Sequence, residues 1–250
     1  MTSRALVLGG GGVTGVAWEI GMLAGLVAAG VHLDGADLIV GTSAGSVVGA
    51  LVASGRDPEA MYASQLAPPT GEIPARLGLV TLLRWAWAAV GRRDGQRVRA
   101  RIGAMALAAR TVPEAERRAA IESRLALRDW PERRLLITAV DAQTGQFVVF
   151  ERDPGVDLVE AVGASCAVPC VWPPVTIGGR RYIDGGMRSP VNADLAAGYD
   201  RVVILAPLTA GIGPEPGTRK QIAGLKAPVV LVTPDQAAKR AIGRNVLDPG

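Results

Sequence analysis

Leu38-Ile39-Val40-Gly41-Thr42-Ser43-Ala44-Gly45 is the stretch whose reading decides the fold. Three apolar residues make a short run of the kind buried on both faces of a parallel sheet. The chain then turns through Gly-x-Ser-x-Gly into a small-residue run over 46–54 that Gly55 closes, which reads as a helix. A serine on a tight turn between a strand and a helix is a nucleophile elbow. Gly41 and Gly45 are needed there because side chains would collide with the neighbouring strand and helix. The serine hydroxyl is left above the sheet, over a helix N-terminus whose free N–H groups favour developing negative charge. On its letters alone, a glycine-rich structural turn would also match.

Upstream, Leu6-Val7-Leu8 is another apolar run, and it ends in Gly9-Gly10-Gly11-Gly12. From 15 to 29, Val16, Ile20, Leu23, Leu26 and Val27 recur at helical spacing, and Gly30 supplies a stop. Strand, helix, strand, helix predicts an α/β fold with a parallel sheet. The loop Gly10-Gly11-Gly12-Val13-Thr14-Gly15 has the Gly-x-Gly-x-x-Gly form, so a nucleotide-binding Rossmann protein is one reading. That reading needs an acid at the end of the next strand. Here the strand ends at Val40-Gly41-Thr42-Ser43, and Asp34 and Asp37 precede it. No Gly-Lys-Ser/Thr follows for a phosphate loop either. What remains is a nest of bare N–H groups one strand from Ser43, suited to an oxyanion hole.

Downstream, 61–128 is rich in Ala, Arg and Leu with no convincing strand, and reads as a helical insertion or cap within one domain spanning 1–250. Within it, 79–90 is strongly apolar and carries Trp85 and Trp87. It is either a buried helix or a lid or patch that meets lipid. Strands are predicted over 135–140 and 146–150, a helix over 157–164, and a hairpin from 175–177 and 181–183 around Gly178-Gly179. A helix over about 191–197 and strands over 202–205 and 229–232 follow, with a helical start to the tail from Asp235.

A serine needs a partner to take its proton. The chain has one histidine, His32, and it precedes Ser43 in a short link, so the usual Ser-His-Asp order is excluded. The base must be a carboxylate or a lysine. Asp184, in Tyr182-Ile183-Asp184-Gly185-Gly186 at the end of a hairpin strand, is the best candidate. Alone, it would read equally as an Asp-Gly turn.

The glycine loop, the Gly-x-Ser-x-Gly elbow and the Asp-Gly-Gly element, in this order, resemble the patatin-like phospholipase family. The likeness runs from Ala5 to about Asn192 and includes Ala164-Ser165, Pro169 and Pro173-Pro174-Val175. It implies a three-layer α/β/α sandwich with a mostly parallel central sheet, and ester hydrolysis of lipid acyl chains by a Ser-Asp dyad. Ser43 would be the nucleophile and Asp184 the general base, with an oxyanion hole from the N–H groups around Gly11, Gly12 and Val13. Many family members carry Arg or Lys where this chain has Thr14. That departure feeds a rival reading, a catalytically weak lipid- or acyl-binding protein on the same fold.

Composition bounds the partners. With 250 residues, 49% hydrophobic and 20% charged, the chain is globular. A net charge of +4, mostly interspersed, is either ordinary surface charge or attraction to an anionic surface such as lipid headgroups. An aromatic fraction of 4%, with no long basic stripe, argues against nucleic acid. Cys166 and Cys170 are expected to be reduced, partly buried hydrophobes, since a metal site would need more ligands. The expected chemistry requires no metal and no organic cofactor. The N-terminus reads as a first strand rather than a leader, and its apolar stretch is too short to span a bilayer. The expectation is a cytoplasmic protein that can lie peripheral to a membrane.

Overall fold

The structure, a computed structural model, describes residues 2–67, 73–91, 93–212, 214, 217–243 and 245–247. The chain runs through β1 (Arg4–Leu8), α1 (Gly12–Ala28), β2 (Leu38–Gly41) and α2 (Ala44–Ala53). Four further helices follow: α3 (Pro58–Gln65), α4 (Leu79–Ala89), α5 (Gly95–Ala108) and α6 (Glu114–Leu125). Then come β3 (Leu135–Asp141), β4 (Phe147–Phe150), α7 (Leu158–Ser165), β5 (Val175–Ile177) and β6 (Arg180–Asp184). The chain closes with β7 (Arg201–Leu205), α8 (Thr218–Ala223), β8 (Val229–Val232) and α9 (Gln236–Ile242).

These strands form one 8-stranded sheet in the order β5-β6-β3-β2-β1-β7-β8, with β4 also paired to β3. The run from β3 through β2, β1 and β7 to β8 is parallel. The pairs β3–β4, β3–β6 and β5–β6 are antiparallel. The apolar runs fill both faces, as a central parallel sheet requires. On one face Leu6, Leu8, Ile39 and Ile137 meet α1, α2, α6 and α7 through Val16, Val47, Leu125 and Val162. On the other, Ala5, Val7, Leu38 and Val40 meet Val191, Ala193, Ala196 and the α8 side chain Ile222. The fold is a mostly parallel sheet flanked by helices on both sides.

The middle helices divide between these faces. Helix α3 packs on α1, and α6 on α7 and α2. Helices α4 and α5 instead lay Trp85, Ala88, Val98, Ile102 and Ala106 over Val140, Ala142 and Ile183. One expected element is shorter than the sequence suggests. The helix anticipated over 191–197 is a single 3-10 turn, Ala193–Ala196, because Asn192 takes a left-handed backbone (φ 50°) that an α-helix cannot include.

The register of β3 positions the site. A strand has two edges, yet β3 has three partners. Strand β2 pairs with it as far as Gly41 opposite Ile137, and β6 pairs with it up to Asp184 opposite Ala139. Strand β4 spans Ile137 to Val140 and overlaps both, so it takes the other edge. Strands β2 and β6 therefore lie end to end along one edge of β3, running toward each other. The turn after β2 and the end of β6 meet at Thr138.

Candidate active site

Each side chain is aimed by that meeting. Ser43 sits between β2 and α2 with φ 52° and ψ −116°, a conformation that non-glycine residues rarely adopt. Its neighbours hold it there. The Ser43 N–H donates to Ser165 Oγ at 2.9 Å, and the Ser43 carbonyl accepts from Ser46 Oγ at 2.6 Å and Cys166 Sγ at 3.3 Å. A Cβ at Gly45 would overlap the backbone of Leu8, and one at Gly41 would press on Ser46. The elbow is seated on β1 at Gly45 and folds back on its own helix at Gly41, which is why it needs glycines on both sides of the serine.

Asp184 ends β6 and is 3% exposed. The Ser43 hydroxyl lies against its carboxylate, and the Gly186 N–H donates to Oδ1 at 2.7 Å. Burial pushes the carboxyl up to about 7, against the opposing pull of the Ser43 hydroxyl and the Gly186 N–H. Asp184 is therefore poised between acid and base near neutral pH. Gly185 lies so close to Thr138 that a side chain there would strike it.

The glycine loop lies beside Ser43: a Cβ at Gly10 would come within 3.6 Å of the Ser43 Cβ. The Gly9 N–H is used by Leu205 O, the Gly10 N–H by Pro190 O and the Gly15 N–H by Gly11 O. The N–H groups of Gly11, Gly12 and Val13 have no acceptor among the described residues. The Ala44 N–H, directly after the serine, has none either. Thr14 differs, since its N–H donates to Val246 O at 3.3 Å and its hydroxyl lies 3.4 Å from the same oxygen. The tail thus covers one side of the loop, with Val246 and Leu247 against Gly12.

Beside this loop an apolar cavity of about 240 Å³ opens between α1, α2, α3 and the end of α6. Val13 and Val47 line its near side, Leu51 and Met61 its body, and Arg56 and Arg124 its far side. Val47 is one helical turn past Ser43, so the cavity starts next to the serine.

Several residues at the site carried no sequence motif. Asn192 offers Nδ2 to Thr42 Oγ1 at 3.0 Å and Ser189 O at 2.9 Å, and Thr42 and Thr138 share a 2.9 Å hydrogen bond. This buried network ties the ends of β2, β3 and β6 together. Its outward sign was Asn192 itself, a residue type that tolerates a left-handed backbone. Ser165 was named only within the family likeness, as part of Ala164-Ser165, with no role. Glu19 is wholly buried on α1, and burial holds its carboxyl well above the usual range.

Not every predicted residue sits at the site. His32 is exposed before β2, at the opposite end of the strands, 3.8 Å from Asp34. Cys166 and Cys170 are both free thiols. Trp85 is buried and Trp87 exposed, so the buried-helix reading holds for one face of that helix and the other face is open. Among the described residues no group of three or more His, Cys, Asp or Glu could hold a metal ion, and no helix is long and apolar enough to cross a membrane.

Comparison with known proteins follows this geometry. The family model of the patatin-like phospholipases matches residues 6–197. No curated protein matches the chain. Among solved structures it is similar to VipD from Legionella pneumophila, at 13% identity over 82% of this chain and 50% of that one, with a TM-score of 0.42. It is also similar to the type III effector ExoU, at 19% identity over 95% and 49%, with a TM-score of 0.39. For the complex of ExoU with SpcU from Pseudomonas aeruginosa the figures are 19%, 99%, 51% and 0.39. The chain spans about half the length of these proteins.

Proposed function

The chain belongs to the patatin-like phospholipase family, and from that premise we propose that it is a serine hydrolase of lipid acyl esters, with Ser43 as nucleophile and Asp184 as base. The observation that carries this reading is the placement of the Ser43 hydroxyl against the buried Asp184 carboxylate, which burial raises to about 7. Ionised Asp184 takes the Ser43 proton as Oγ bonds to the ester carbonyl carbon. The carbonyl oxygen becomes an oxyanion held by the N–H groups of Gly11, Gly12 and Val13, and each such donor contributes about 3 kcal/mol. The C–O bond then breaks, and the alcohol leaves with the proton from Asp184. Water gives a proton back to Asp184 and attacks the acyl-serine. The fatty acid departs and Ser43 regains its hydrogen. The cavity beside Val13 and Val47 suits the acyl chain. A single domain, peripheral contact with a membrane and a cytoplasmic setting go with this reading.

Turnover of a p-nitrophenyl acyl ester tests it. Ser43→Ala and Asp184→Asn should each lose most activity, since general-base catalysis contributes about 10²- to 10⁴-fold. Undiminished turnover in either variant would refute the dyad. Chelator is expected to change nothing. A second reading, acyl binding with little catalysis, is favoured by Val246 O occupying the Thr14 N–H. A fluorophosphonate probe decides between them, because only an activated serine is labelled.

A further inference from the structure

We propose that the outer face of α4 is the surface by which this protein docks on an anionic phospholipid bilayer. The inference rests on the reading of the chain as a lipid hydrolase, and it adds the docking surface and the charge of the lipid.

A surface helix ordinarily turns apolar residues inward and polar residues outward. Helix α4 does the opposite. Only Trp85 and Ala88 are buried, whereas Leu79 is 71%, Leu83 60% and Trp87 66% exposed. Val80 and Leu82 are exposed as well, and Val90 just beyond the helix is 70% exposed. Large apolar side chains gathered on one exposed face mark an interaction surface rather than the scattered exposure of a monomer. Exposed Trp beside aliphatic residues is suited to the boundary between headgroups and acyl chains.

Charge identifies the occupant. Residues 73–110 carry eight arginines and one aspartate, while the other 212 residues carry 19 basic and 22 acidic side chains. The positive charge of the chain is therefore concentrated around α4. Arg76, Arg84, Arg93 and Arg97 are exposed there, and the Arg101 guanidinium stands 5.8 Å from the Trp87 ring. A basic rim around an apolar centre complements an anionic bilayer. A second copy docked by a two-fold axis would instead set these arginines near their own counterparts.

The position also fits. Trp85 and Ala88 share an apolar cluster with Ile183 and Met187, which flank Asp184. Asn245 Nδ2 donates to Ala75 O at 3.0 Å, tying the approach to α4 to the tail that covers Gly12. Contact through α4 sets the bilayer against the end of the sheet where β6 finishes at Asp184.

The test uses Ser43→Ala protein, so that lipid stays intact, with vesicles of phosphatidylcholine alone or mixed with phosphatidylglycerol. Binding to the mixed vesicles is expected, and weaker binding to phosphatidylcholine alone. Leu83→Ser/Trp87→Ser and, separately, Arg84→Glu/Arg93→Glu should each reduce partitioning at least about tenfold. Both pairs are exposed, and an unchanged thermal transition verifies the fold. Equal partitioning of parent and both variants overturns the proposal. So does a dimer in sedimentation that Leu83→Ser/Trp87→Ser turns to monomer, since the face is then an interface between copies. A wild-type serine that is labelled by fluorophosphonate while vesicles are ignored removes the docking surface alone. Vesicle binding with an unlabelled serine removes the hydrolase reading alone.

Discussion

Helices α2 and α4 are nearly equal in length and almost free of charge, yet every residue of α2 is buried and only Trp85 and Ala88 of α4 are. The difference lies in side-chain size and in what each helix meets. Helix α2, Ala-Gly-Ser-Val-Val-Gly-Ala-Leu-Val-Ala, is narrow enough to sit on β1 with α1, α6 and α7 around it. Helix α4 has large side chains, and its inner side packs on α5 in an apolar cluster that also holds Val140, Ile183 and Met187. Apolar content alone does not make a helix a core element. The number of faces that neighbours cover does, and α4 has one covered face where α2 has all.

The strongest way to break this contrast is to widen α2. Gly45→Val would force a side chain into Leu8, so soluble folded protein should be lost, a cost above about 4 kcal/mol. Ala86→Val, on the exposed face of α4, should leave the thermal transition within about 2 °C.

Next in size is the buried charge beside α2. The folded carboxyl of Asp184 titrates near 7, far above an unfolded aspartate. Raised in this direction, it favours folding below pH 4, and that contribution is lost as pH rises to 7. Asp184→Asn should therefore be more stable than wild type above pH 7 by roughly 2–4 kcal/mol, with the gap closing toward pH 4. Activity should move oppositely, rising about tenfold per pH unit below 7 and levelling above it. Denaturant titrations and kcat/KM profiles measure the two.

The cavity sharpens the comparison further. Leu51→Phe fills space on α2 and should lower kcat/KM for dodecanoyl relative to butanoyl esters about tenfold. The smallest effect belongs to α4: Leu79→Ser should shift stability by less than about 0.5 kcal/mol in urea unfolding.

The sequence made the strands and turns legible because each is coded locally. Leu38-Ile39-Val40 before Gly41, and Asp184 before Gly185-Gly186, announce themselves within a few residues. The shared edge of β3 was not legible, since it depends on the relative register of β2, β4 and β6, which no local pattern encodes. Asn192 and Ser165 were hidden for a related reason: a lone polar residue reads as surface until its partners across the fold are known. The apolar run over 79–90 carried Trp85 and Trp87 together and did not say which would find a neighbour. Val246 against Gly12 joins the two ends of the chain, beyond the reach of any motif.

The end-to-end arrangement of β2 and β6 on β3 also has a consequence in time. Ser43 and Asp184 lie about 140 residues apart, so at 5–20 residues per second a ribosome needs roughly 7–28 s to pass from one to the other. Throughout that interval the serine lacks Asp184, and β3, the strand that brings the two together, is made only in its last third. On the proposed mechanism, a nascent chain is thus inert until its hairpin arrives. The delay needs no inhibitor, because it is written into the order in which the strands are made.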